Sequence, residues 1–114
     1  MTKEVFADKF SKLVYELHET LVKKGNDYSN EDKLSNFKVA GGITGIGPEM
    51  NCLNLIATKV ARLGVLLNGN RMPSNESIQD SVKDLICYGI LLNMILEEKN
   101  DNQEILGESN VEEC

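Results

Sequence analysis

The sequence predicts an all-α protein, on three observations. Several long runs carry apolar residues at helical spacing, only two prolines interrupt 114 residues, and aromatic side chains make up 5% of the chain. The expected architecture is a compact helical bundle of three long helices plus a short one. So few helices bury limited area, so the bundle is expected to complete its core by oligomerising through helix faces.

The first helix is predicted from about Lys3 to Lys24. Phe6, Phe10, Leu13, Val14, Leu17 and Leu21 follow the 3.6-residue period, Thr2 is the candidate N-cap, and Gly25 after two lysines is a stop signal. A polar segment from Asn26 to Lys33 follows. Leu34 to Ala40 then forms one or two helical turns, broken by Gly41-Gly42 and by Gly45-Ile46-Gly47. These glycines do not have dinucleotide-fingerprint spacing and no strand precedes them, so they read as a flexible connection.

The second long helix opens with Pro48 in its first turn and ends at Asn68-Gly69-Asn70, with Leu53, Ile56, Val60, Leu63 and Leu67 as its core seam. The connection Arg71 to Pro73 is short enough to force an antiparallel neighbour. That third helix is predicted from Ser74 or Asn75 to about Glu98. One of its faces carries Ile78, Val82, Leu85, Gly89 and Leu92, and the other carries Glu76, Asp80, Asp84 and Tyr88, each four residues apart. Like charges at that spacing cost roughly 0.2–0.5 kcal/mol each, which predicts a cation nearby, either a metal or a basic side chain.

The net charge of −6 is unevenly placed. From Glu97 onward there are seven acids against one base, Lys99, so the C-terminal end holds the whole excess and the rest is formally neutral. The predicted organisation is one all-α domain over 1–98 and an acidic, disordered tail over 99–114. A neutral core lacks the basic face that duplex nucleic acid requires. No stretch approaches the ~18–20 apolar residues of a membrane span, and the N-terminal residues show no signal-peptide core, so a cytoplasmic protein with no membrane partner is expected. Cys52, Cys87 and Cys114 form no C-x-x-C pair and are expected as free thiols, the first two as core filler. With His18 as the single histidine, zinc is not expected.

Three constellations carry possible chemistry. Lys23-Lys24-Gly25-Asn26-Asp27-Tyr28 ends the first helix, Lys59 and Arg62 lie on the second beside a polar stripe of Asn51, Asn54 and Thr58, and the acidic row Glu76, Asp80 and Asp84 lies on the third. Each has a plain structural reading: helix-end lysines favoured by the macrodipole, a wet helix face, and a solvated acidic face.

In this order, K-K-x-x-D-Y, K-x-x-R-L and E-S-I-x-D-x-x-x-D-L-x-x-Y resemble the phage-enriched nucleotide modification associated domain 1 family. That family looks related to the all-α nucleoside triphosphate pyrophosphatases such as MazG and the dimeric dUTPases. The resemblance covers about Leu13 to Leu96. It implies an oligomeric helical bundle that binds a small nucleotide between helices. In catalytic members, carboxylates from two helices hold Mg²⁺, which activates water for attack on the α–β phosphoanhydride. By position, Glu76, Asp80 and Asp84 would be the metal ligands. Lys24, Lys59 and Arg62 would meet phosphates, Tyr28 or Tyr88 would stack on a base, and Asp27 would orient a lysine or a sugar hydroxyl.

One departure from the pattern matters. Thr58 stands where an aspartate is expected before the helix-two lysine, so that helix offers only Glu49; Glu16 and Glu19 on the first helix have E-x-x-E spacing but an ordinary surface pattern. Three readings follow. The favoured one is a binder that sequesters a nucleotide, a bacterial defence second messenger being an attractive ligand class, without turnover and without a cofactor. The second is an Mg²⁺-dependent nucleoside triphosphate pyrophosphohydrolase, and the third is a helical interaction module.

Overall fold

The computed structural model describes residues 1–23, 32–69 and 75–105, with the side chains of 78–103 in the last span. Apart from short turns these residues are helical: α1 (Lys3–His18) running into a π-helical turn (Glu19–Lys23), α2 (Ser35–Thr44), α3 (Gly47–Asn68) and α4 (Asn75–Ile105). There is no strand among the described residues. The all-α expectation therefore holds. The chain divides into two compact units, Met1–Asn36 and Phe37–Cys114.

In the first unit, Thr2 starts α1 as its sequence position suggests. Its hydroxyl accepts from the Val5 N–H at 3.1 Å, satisfying one of the orphan donors of the first turn. Phe6 and Phe10, one turn apart, stack with ring centroids 6.4 Å apart. The α-helix gives way at Glu19 to a wider π turn, where the sequence predicts an unbroken helix to Lys24. Thr20 Oγ1 donates to the Glu16 carbonyl at 3.1 Å, competing for a carbonyl that the helix ladder would otherwise use. After the turn, Lys33 Nζ donates to the Val22 carbonyl at 3.3 Å, and Asp32 Oδ1 accepts from the Leu34 N–H at 2.9 Å to set up the start of α2.

In the second unit the glycines are not a loose connection. α2 continues through Gly41-Gly42 to Thr44, and the turn into α3 is made by Gly45 and Gly47, both at positive φ (78° and 85°). Gly41 is buried against this turn: a Cβ there would sit 2.3 Å from the Gly47 carbonyl carbon. Pro48 lies in the first turn of α3, whose end is closed by the Gly69 N–H donating to the Val65 carbonyl at 2.9 Å.

α3 and α4 pack antiparallel, as two ion pairs show. Glu49, at the start of α3, meets Lys99 near the end of α4 at 2.9 Å, while Lys59 meets Asp84 farther back at 2.9 Å. Lys38 of α2 reaches Glu98 of α4 at 2.6 Å. Among the described residues of this unit, Cys52, Leu63 and Ile95 are the buried apolar side chains, joined by Ser81.

The packed faces are rotated from the predicted seams. Of the predicted α3 seam, Leu63 is buried and Ile56 half-buried, but Leu53, Val60 and Leu67 are exposed; on α4, Ile78, Leu85 and Leu92 of the predicted seam are half-buried, Val82 and Gly89 are exposed, and Ser81 and Ile95 outside it are buried. The physical reason is size. Cys52 and Ser81 are small, and small side chains let two helices approach along a row that hydropathy alone does not select. α4 also runs to Ile105, beyond the expected end near Glu98. No glycine or proline interrupts 99–105, and Lys99 is held by Glu49.

Candidate functional site

The candidate site is a polar face across α3 and α4, built on Lys59. Its side chain is 25% exposed and its Nζ lies 2.9 Å from Asp84 Oδ2, on a side chain 53% exposed. This is a basic side chain beside the acidic row, placed to relieve the repulsion between Asp80 and Asp84. An ion pair this wet contributes less than about 1 kcal/mol, so its consequence is chiefly positional: it holds an ammonium group at the helix–helix boundary.

Arg62 follows Lys59 by three residues and so projects from the same side of α3. It is exposed, as is Asp80, and neither makes an ion pair among the described residues. The antiparallel register carries Arg62 toward the level of Asp80, since one turn forward on α3 matches one turn back on α4. Tyr88, one turn from Asp84 in the other direction, is half-buried. Its carbonyl accepts from the fully buried Cys52 Sγ at 3.4 Å, and burial pushes the Cys52 thiol above its ordinary pKa. That thiol is a packing group. Thr58 Oγ1 donates to the Asn54 carbonyl at 2.9 Å and bonds back to its own helix.

Lys59 and Asp84 are thus brought into contact, with Arg62, Asp80 and Tyr88 on neighbouring turns. Lys24, Asp27 and Tyr28 lie outside the described residues, and so does the Glu76 side chain. No three His, Cys, Asp or Glu side chains gather as a metal site among the described residues. On α1 and its π turn, the Glu19 carboxylate meets Lys23 Nζ at 3.2 Å, which holds its pKa below the ordinary value; Glu19 in turn raises that of Tyr15.

The opposite end of the α3–α4 pair carries charges that the sequence reading passed over. Glu49 is held below the usual carboxylate range first by its own backbone N–H at the helix start and then by Lys99. Fifty residues separate that pair in the chain, and no local pattern announces it.

One further expectation is corrected by α3. By length and composition this helix is apolar enough to cross a membrane, contrary to the reading that no stretch approaches that limit. It carries Lys59 and Arg62 near its middle and packs one side against the polar-faced α4, while Leu53, Val60, Val65 and Leu67 on its other sides are exposed. Comparison with known proteins finds no matching protein-family model, no matching curated protein and no matching solved structure.

Proposed function

We propose that this chain binds a small nucleotide on the α3–α4 face and holds it without turnover. The observation that carries this reading is the Lys59–Asp84 pair with Arg62 one turn beyond it. Two cations on one side of α3 suit a phosphate group, Lys59 as an oriented point charge and Arg62 as a planar fork. Asp80 and Asp84 supply acceptors for base amino groups or ribose hydroxyls. Thr58 adds no charge to this face, so a second carboxylate-bearing helix beside α4 is not provided by α3 outside Glu49. The resemblance to a phage-enriched family makes the nucleotide second messengers of bacterial defence the ligand class to test first, and gives sequestration as the biological role.

The test is calorimetric titration with linear and cyclic nucleotides. Arg62→Ala is expected to weaken binding by about 1.5–3 kcal/mol, the scale of a charge-assisted hydrogen bond, while removing Mg²⁺ leaves affinity unchanged. Unchanged affinity in both Arg62→Ala and Asp80→Ala would place the pocket elsewhere. Loss of turnover in Asp80→Ala, with stability retained, would instead support the Mg²⁺-dependent pyrophosphohydrolase.

A further inference from the structure

α4 stays helical through a stretch that has little of its own to hold it. Among the described residues Ile95 is the last that is buried, and from Leu96 to Gln103 none is. Asn100, Asp101 and Asn102 stand in succession, and Asn and Asp rank low as helix formers because their side chains compete for nearby backbone groups. The last turn carries no base to suit the negative end of the helix dipole, and Glu97 and Asp101 stand four residues apart as like charges. The helix nevertheless continues to Ile105.

Two adjacent residues of α4 reach two different helices at this point. Glu98 Oε1 meets Lys38 Nζ of α2 at 2.6 Å, and Lys99 Nζ meets Glu49 Oε2 of α3 at 2.9 Å. Successive helical residues point about 100° apart, which lets neighbours in sequence serve separate partners. Lys38 precedes Gly41 on α2 and Glu49 follows Gly47 on α3, so the two partners stand on the two arms of the glycine turn. Those arms already touch where Gly41 packs on Gly47. All of these residues belong to the unit Phe37–Cys114, so the arrangement is complete within it.

From this we infer that the end of α4 is an electrostatic latch. The pairs Lys38–Glu98 and Glu49–Lys99 keep residues 99–105 helical and joined to the α2–α3 turn, and raised ionic strength releases them. Water-exposed pairs are each worth a factor of about two to five in a local equilibrium, and dissolved salt screens them. That is small beside the stability of a fold. It is decisive for a helix end without a buried anchor, where opening costs little. The latch stands apart from the proposed nucleotide face, because Lys59 lies about 15 Å farther along α3 at 1.5 Å per residue.

The experiment is amide hydrogen exchange of the full chain followed by NMR, at low salt and in molar sodium chloride. Wild-type amides of residues 100–105 are expected to be protected at low salt and to lose protection at least threefold in high salt, while those of residues 85–95 hold theirs. Lys38→Gln and Glu49→Gln are each expected to lower protection of residues 100–105 about two- to fivefold at low salt, and more when combined. In the combined variant the repulsion between Glu97 and Asp101 is what salt still screens, so high salt no longer lowers protection. Unprotected wild-type amides at low salt overturn the inference, as does protection that salt leaves unchanged. So does equal loss over residues 85–95 in either variant, which would make the pairs supports of the whole helix and not a latch on its end.

Discussion

Gly41 and Gly42 are adjacent in α2, yet the same substitution is expected to act on them in opposite directions. Alanine at Gly42 meets nothing within 4 Å and gains helix propensity, so Gly42→Ala should stabilise by about 0.5–1 kcal/mol. Alanine at Gly41 would drive its Cβ into the backbone of Gly47 and Pro48, and the overpacking should destabilise by about 1–3 kcal/mol despite the same gain in propensity. Urea unfolding of the two variants checks both signs. Glu49 makes a pH prediction. Its folded pKa lies below the ordinary 4.5, so the protonated form is disfavoured in the fold relative to the unfolded chain. The stabilisation is present above pH 4.5 and is lost as pH falls through the depressed folded value. The stability difference between wild type and Glu49→Gln should therefore shrink as urea melts are taken to lower pH. Cys52 is buried with a raised thiol pKa, so peptide mapping after brief alkylation of the native protein should find Cys87 modified well before it.

At the scale of elements, the Lys59–Asp84 pair joins α3 to α4 but is half in water. A double-mutant cycle on Lys59→Ala and Asp84→Asn should give a coupling below about 1 kcal/mol in stability. A much larger coupling would mean that the pair holds the fold, and would weaken the case that it is there for a ligand. Where the helices lie was largely legible in the sequence. Thr2, Pro48 and Asn68-Gly69 act through local backbone chemistry, and each marks a boundary seen in the structure. Which face packs was not legible. Cys52 and Ser81 are buried because they are small and opposite one another's helices, a property of the pair that neither periodicity contains. The site was legible in part for the same reason. Asp80, Asp84 and Tyr88 share a face by spacing alone, whereas the meeting of Lys59 with Asp84 needed the register, and Glu49 with Lys99 carried no signal at all. The glycine turn was misread because a count of glycines suggests flexibility, while the two positive φ angles and the close approach at Gly41 specify one conformation.

The whole molecule combines a formally neutral chain up to Leu96 with an acidic C-terminal end. One face of α3 holds α4 and, at its edge, the cations proposed to meet phosphate; the start of α3 and the end of α4 carry the proposed latch. The two proposals are separable, since Lys38→Gln should loosen the end of α4 while leaving Lys59 and Arg62 in place. The central claim, binding without turnover, is tested most directly by recovering the ligand. The purified protein is incubated with a panel of linear and cyclic nucleotides, with and without Mg²⁺, then denatured, and everything in solution is identified by chromatography and mass spectrometry. The account predicts a nucleotide depleted from solution and released chemically intact on denaturation, whether or not Mg²⁺ is present. Monophosphate and pyrophosphate appearing only with Mg²⁺ would contradict it and make the protein a pyrophosphohydrolase.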